Sequence, residues 1–204
     1  MDVVCLDLEG VLVPEIWIQF AEKTGIDELK ATTRDIPVYD DLMKQRLSLL
    51  DTHGLKLDDI QQVIGEMEPV VGAKYFLDEL RQEYQVIILS DTFYEFAKPL
   101  MRQLDWPTLF CHRLDVSIDN RVTNYRLRMK DHKRESVESL KQLNFKVYAA
   151  GDSYNDTTML KEAHAGFLFR APENVVTEFP QFSVCSEFDE LRTLIDTAAG
   201  ETKA

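Results

Sequence analysis

A chain of 204 residues, 45% hydrophobic and 29% charged, has an ordinary globular composition and length enough for a buried core with one inserted subdomain. Its 23 basic and 36 acidic residues leave a net charge of −13. A surface that acidic repels phosphate backbones and anionic lipid heads, which argues against nucleic acid and membrane partners, so any phosphate must be held locally by a metal ion or a few placed donors.

The N-terminus lacks the basic start of a secretory signal, Asp7 and Glu9 interrupt its apolar run, and no stretch approaches the roughly 18 apolar residues of a spanning helix. Cys5, Cys111 and Cys185 are an odd number at spacings of no metal-site type and read as reduced packing residues of a cytosolic protein. The four histidines show no ligand spacing.

In chain order, Val3-Val4-Cys5-Leu6 is an apolar run that stops at Asp7, the pattern of a strand buried on both faces. Helical segments are expected from Ile16 to Ala21, Tyr39 to Leu50 and Leu57 to Met67, with Pro14 at the entrance and Pro69 and Gly72 at the exit. Strands and helices then alternate: a helix over Phe76–Arg81, a strand Val86–Leu89 ending in Ser90-Asp91-Thr92, and a helix from Tyr94 to Leu104. Residues 114–127 suggest a β-hairpin around Asp119-Asn120. A helix from Ser136 to Leu143, a strand Val147–Ala150 ending at Gly151-Asp152, and a strand Ala165–Phe169 follow, with a frayed tail after Thr197. This alternation predicts an α/β fold with a doubly wound, mainly parallel sheet. The α/β core would span residues 1–14 and 71–204, and a helical cap would span 15–70.

Three apolar strands end in polar groups: Asp7-Leu8-Glu9, Ser90-Asp91-Thr92 and Asp152-Ser153-Tyr154-Asn155-Asp156. Ligands of open α/β sheets bind at the carboxyl ends of strands, so these side chains can converge from distant sequence positions. Each set alone could be the ordinary turn chemistry of Asp and Asn. All three together point to a site. Asp7, Asp152 and Asp156 would repel one another without a cation, and oxygen-only ligands favour a hard ion such as Mg²⁺.

Asp-x-Glu-Gly-Val after one strand, Ile-Leu-Ser after a second and Gly-Asp-Ser-Tyr-Asn-Asp after a third resemble the motifs of the haloacid dehalogenase-like phosphohydrolases, over nearly the whole chain. Within that superfamily the chain is most similar to the phosphoserine phosphatase branch. Asp-Leu-Glu-Gly-Val-Leu-Val-Pro-Glu and Ser-Asp-Thr-Phe-Tyr-Glu-Phe bring it closest to the bifunctional phosphoserine phosphatase/homoserine phosphotransferases. The resemblance implies an Mg²⁺-dependent hydrolase of O-phosphoserine, a small-molecule substrate, with phosphoryl transfer to homoserine as a second outcome; a homodimer is left open. It makes Asp7 the nucleophile and a metal ligand, Glu9 the general acid and base and a backbone-carbonyl ligand, and Asp152 the metal-binding carboxylate. Asp156 orients the loop, and Ser90 binds the phosphoryl group. Lys130 and Lys133 both stand where the balancing cation is needed, and Lys133, opening a helix, matches better. Glu15 would meet the substrate ammonium and Arg46 its carboxylate, while Asp91 and Asn155 lie in the matched binding motifs.

Three departures stand out. Glu9 replaces the usual Asp, Asp91-Thr92 replaces glycines that let backbone N–H groups approach phosphate, and Tyr154 replaces a small residue. Asp91 is therefore expected to turn away or cap the next helix. Alternative functions are a phosphatase of another small phosphorylated metabolite, a metal-free dehalogenase, and a receiver-type phospho-accepting module.

Overall fold

The structure, a computed structural model, describes residues 1–32, 35, 36 and 38–201. Strand β1 (Asp2–Leu6) sends Val3 and Cys5 to one face and Val4 and Leu6 to the other, all buried, so both faces must be covered. It lies inside a seven-stranded sheet with β2 (Gln85–Phe93), β3 (Thr108–Val116), β4 (Val122–Arg126), β5 (Lys146–Gly151), β6 (Ala165–Phe169) and β7 (Ser183–Cys185). The order is β4-β3-β2-β1-β5-β6-β7, and every neighbouring pair is parallel except β3 and β4. The chain winds outward from β1 to β2 and β3 on one side, then crosses to β5 and winds outward on the other. The order thus reverses between β1 and β5, which opens a crevice at their carboxyl ends.

Between residues 14 and 72 no described residue lies in a strand. Helices α1 (Ile16–Thr24), α2 (Tyr39–Thr52) and α3 (Leu57–Gly65) fill that stretch, with a short 3₁₀ turn at Asp27–Lys30. Their buried residues Ile16, Phe20, Met43, Leu50, Ile60 and Ile64 join one apolar cluster with Leu12, Phe93 and Phe96 from the sheet side. The expected hairpin is present, with Asn120 in the left-handed region at φ 68°. Its tip is tied to the helical segment: the N–H groups of Leu57 and Asp58 donate to Asn120 O and Oδ1 at 2.8 and 2.9 Å. Tyr125 likewise donates to Asp40 at 2.6 Å.

The remaining helices are α4 (Ala73–Glu83), α5 (Tyr94–Gln103), α6 (His132–Gln142), α7 (Thr157–Glu162), α8 (Glu173–Glu178) and α9 (Phe188–Glu201). The tail expected to fray after Thr197 does not: α9 continues to Glu201, while residues 202–204 lie outside the described residues. Leu191, Ile195 and Ala199, spaced by four, form one stripe of α9 buried in the main apolar cluster. Helices α7 and α8, strand β7 and the body of α9 are not foreseen from the sequence. Cys5, Cys111 and Cys185 are buried free thiols, and burial lifts Cys5 to about 12.

Candidate active site

β1 ends because an ionised side chain has no place in a strand covered on both faces, yet the backbone holds its line for one more residue. The Asp7 N–H donates to Ala150 O at 3.0 Å, fixing Asp7 at the mouth of the crevice. Its carboxylate is almost fully buried, and Oδ1 accepts the Leu8 N–H at 2.7 Å and faces Lys133 Nζ at 3.0 Å. Gly10 turns the chain at φ 76°, where a Cβ would lie 2.5 Å from the Asp152 carboxyl group. The glycine therefore serves both the turn and the close approach of the third motif.

Asp152 follows β5. The Asp156 carboxylate organises its loop: Oδ2 accepts the N–H groups of Asp152 and Ser153, both at 3.0 Å, and Oδ1 binds Lys133 Nζ at 2.7 Å. Lys133 is buried near the start of α6, just after Asp131, which takes a left-handed φ of 50°. Its ammonium faces Asp156, Asp7 and, at 3.4 Å, Asp91. Lys130, the other candidate, is exposed.

Burial raises the Asp7 carboxyl well above its ordinary value, and Asp156 adds to this while Lys133 opposes it. Burial and the charges of Asp156 and Glu15 likewise lift Asp152 to about 7. Burial would lower the Lys133 ammonium, but the attraction of Asp156, Asp7 and Asp91 more than reverses that. Asp7, Asp152 and Asp156 each offer a carboxylate oxygen within 4.8 Å of the others. Both Asp156 oxygens are already engaged by the protein. Asp7 and Asp152 retain unengaged oxygen, and an oxygen-only pair of repelling carboxylates fits a hard divalent cation such as Mg²⁺.

Glu9 is tied to the start of the helical segment. Its Oε2 accepts the Ile16 N–H at 2.9 Å at the start of α1, and its carboxyl lies against that of Glu15, an exposed residue. Burial first, then Glu15, pushes Glu9 up to about 8, so it carries its proton at neutral pH. Arg46 on α2 is 8% exposed, its guanidinium 4.5 Å above the Trp17 ring with one nitrogen on Ala31 O at 3.0 Å. Its Nε is buried without a partner. A fixed guanidinium with an unused donor suits a carboxylate.

β2 does not end at Leu89. It runs on through Ser90, Asp91 and Thr92, but its pairing with β3 shifts register between Leu89 and Phe93. The irregularity aims two successive side chains at the crevice. Ser90 is buried, its hydroxyl accepting the Thr92 N–H at 3.2 Å. Asp91 neither turns away nor caps α5, whose N-cap is Phe93 without a side-chain bond. Oδ2 accepts from Asn155 Nδ2 at 2.6 Å and faces Lys133, while Oδ1 meets the Nε2 atoms of His132 at 3.1 Å and His112 at 3.5 Å. Although burial opposes it, Lys133 and these donors hold the Asp91 carboxyl far below the usual range. Two of the histidines that lack ligand spacing in sequence thus meet in space, delivered by β3 and α6. No local sequence pattern marks Trp17 or either histidine as part of a site.

The family model for haloacid dehalogenase-like hydrolases matches residues 1–164. The chain is 66% identical over 192 residues to phosphoserine phosphatase ThrH of Pseudomonas aeruginosa, covering 94% of each chain. It is 65% identical to a phosphoserine phosphatase of Pseudomonas syringae pv. tomato, covering 94% of this chain and 81% of the relative. The fold is similar to that of a phosphoserine phosphatase crystallised in apo form, with a TM-score of 0.73 at 23% identity over 91% of this chain and 93% of the other. A phospho-aspartyl intermediate analogue of phosphoserine phosphatase superposes with a TM-score of 0.72 at 22% identity and the same coverage. The chain belongs to the haloacid dehalogenase-like hydrolases.

Proposed function

We propose that this hydrolase is a phosphoserine phosphatase that works through an aspartyl-phosphate on Asp7. One observation carries the reading. A nearly buried carboxylate, Asp7, paired with Lys133 at 3.0 Å, stands two residues before Glu9, a half-buried carboxyl group that desolvation and the neighbouring Glu15 make more basic than usual. The names of the two Pseudomonas relatives support the substrate. Asp7 attacks phosphorus as the bond to the serine oxygen breaks, and Glu9 gives its proton to that oxygen. Glu9 then takes a proton from the water that attacks the phosphorylated aspartate. Lys133 balances charge on the phosphoryl oxygens, and the Ser90 hydroxyl donates to one of them.

Asp7 and Asp152, with the Glu9 backbone carbonyl, would hold Mg²⁺. When bound, that ion neutralises the clustered carboxylates and screens the phosphoryl charge from the nucleophile. Asp156 keeps the Asp152 loop in position. Arg46 and Glu15 form a clamp for the carboxylate and ammonium of the amino acid, with Asn155 and Asp91 at the phosphate end. On this reading residues 15–70 act as the cap that closes over a core of 1–14 and 71–204. Among described residues no helix is long and apolar enough to cross a membrane. Homoserine can replace water as the second acceptor, since both require the same proton acceptor.

The test is incubation of the purified protein with O-phosphoserine, with and without Mg²⁺ and homoserine. Phosphate release that stops with EDTA is expected, and phosphohomoserine would add the transferase half. Turnover unaffected by EDTA, or a stable phosphoprotein without turnover, overturns the proposal.

Two substitutions probe its parts. Arg46→Ala should raise KM for O-phosphoserine roughly 10²-fold, the worth of one charge-assisted bidentate contact, while sparing an aryl phosphate that has no carboxylate. An equal loss on both substrates would remove Arg46 from that role. Gly10→Ala should lower kcat roughly 10²-fold, because its methyl group displaces the Asp152 carboxylate from 2.5 Å away. Steady-state rates at saturating Mg²⁺ read this out.

A further inference from the structure

We propose that His112 and His132 are positioning residues for this reaction: through Nε2–H they grip Oδ1 of Asp91, so that Oδ2 holds Asn155 and Lys133 in place beside Asp7. The inference rests on the phosphatase reading for the role of Lys133. Asp91 would be costly beside a phosphate if it were free, because its charge repels the substrate and its side chain is 41% exposed. The two rings remove that freedom. They lie with centroids 4.5 Å apart at 61°, each almost wholly buried, one delivered by β3 and the other by the first residue of α6. Both Nε2 atoms converge on one carboxylate oxygen, leaving the second for Asn155 and Lys133.

The proton positions follow from the partners. His112 Nδ1 accepts the Arg128 N–H at 3.1 Å, so Nδ1 is bare and Nε2 carries the proton. His132 Nδ1 is buried without a partner, and a bare lone pair there costs less than an orphaned N–H, which again leaves the proton on Nε2. The same assignment decides against a transition metal, although the three groups lie within 4.8 Å of one another. A ligating histidine needs its inward nitrogen bare and its outward N–H bonded to an acceptor, and neither ring offers that. The centre is a donor pair for a carboxylate. Asp91 thereby bridges the serine strand β2 to the lysine helix α6.

A double-mutant cycle tests the coupling. His132→Phe keeps a buried ring and loses the donor; it should lower kcat roughly tenfold with KM for O-phosphoserine changed less than about threefold. His132→Gln, which can return an N–H toward Asp91, should recover most of that loss. In an Asp91→Ala background the further change from His132→Phe should vanish, and the same holds for His112→Phe. A factor that persists undiminished there means the histidine acts through packing alone and overturns the proposal. Long-range ¹H–¹⁵N spectra of the histidine side chains give a reading independent of activity: Nε2–H tautomers are expected at both rings. An Nδ1–H tautomer at either, or stoichiometric Zn²⁺ that shifts both, overturns it. If Asp7→Asn were fully active, the phosphatase reading itself would fail, whatever the tautomers.

Discussion

Asp7→Asn is expected to lower the turnover of O-phosphoserine by roughly 10⁴-fold or more, the scale on which removal of a covalent nucleophile acts. The amide keeps the size of the side chain and the oxygen that accepts the Leu8 N–H at 2.7 Å, but its nitrogen cannot attack phosphorus. Stability should move the other way. In the metal-free protein Asp7 shares a small volume with Asp152 and Asp156, and burial already works against its charge. Lys133 loses one of three carboxylate partners and keeps Asp156 at 2.7 Å. Removing one of the clustered negative charges should therefore leave the thermal midpoint of the metal-free variant unchanged or higher. Added Mg²⁺ should raise the midpoint of the unmodified protein more than that of the variant, since the variant has lost a charged ligand. A variant that is inactive and also poorly folded would mean Asp7 is structural. Near-normal turnover would mean the nucleophile lies elsewhere.

The parts of the site that can be read from sequence are those whose signal is local. Asp7 and Asp152 each follow an apolar run covered on both faces, and that abrupt change of polarity marks a strand end whatever the rest of the chain does. Ser90 carries a similar mark, although β2 runs on to Phe93, because the register shift there depends on β3 and leaves no trace in the residues themselves. Asp91 is misread for the same reason. Taken alone, an Asp before a helix is a capping residue; beside His112, His132, Asn155 and Lys133 it is a bridged carboxylate, and those four come from three other parts of the chain. Ser183–Cys185 is too short and too exposed to show an apolar run, so β7 is set by its pairing with β6. The stretch after Thr197 reads as a frayed tail, yet Ala199 is buried in the main apolar cluster, and that tertiary contact carries α9 onward.

Asp156→Ala should be the most destabilising change in the site. The residue is wholly buried, and its carboxylate satisfies the N–H groups of Asp152 and Ser153 while pairing with Lys133. It fits only because position 151 is glycine: a Cβ there would lie 2.4 Å from the Asp156 carboxyl carbon. Alanine at 156 leaves two half-buried backbone donors without an acceptor and takes away the shortest partner of a buried ammonium. Breaking a buried ion pair costs about 3–5 kcal/mol, and the lower end applies because Lys133 keeps Asp7 and Asp91. For a chain of this length a loss of about 3 kcal/mol lowers the thermal midpoint by roughly 6–12 °C. Activity measured well below that midpoint should still fall roughly 10²-fold, since Asp152 and Lys133 both lose their anchor. Asp156→Asn should also destabilise, because its NH₂ group must face either the lysine or the two backbone donors. The two asparagine variants therefore separate chemistry from architecture: at position 7 the amide is tolerated by the fold and not by the reaction, and at position 156 the fold itself rejects it. An Asp156→Asn protein that melts with the unmodified one would show that the loop carrying Asp152 is held by something other than this carboxylate.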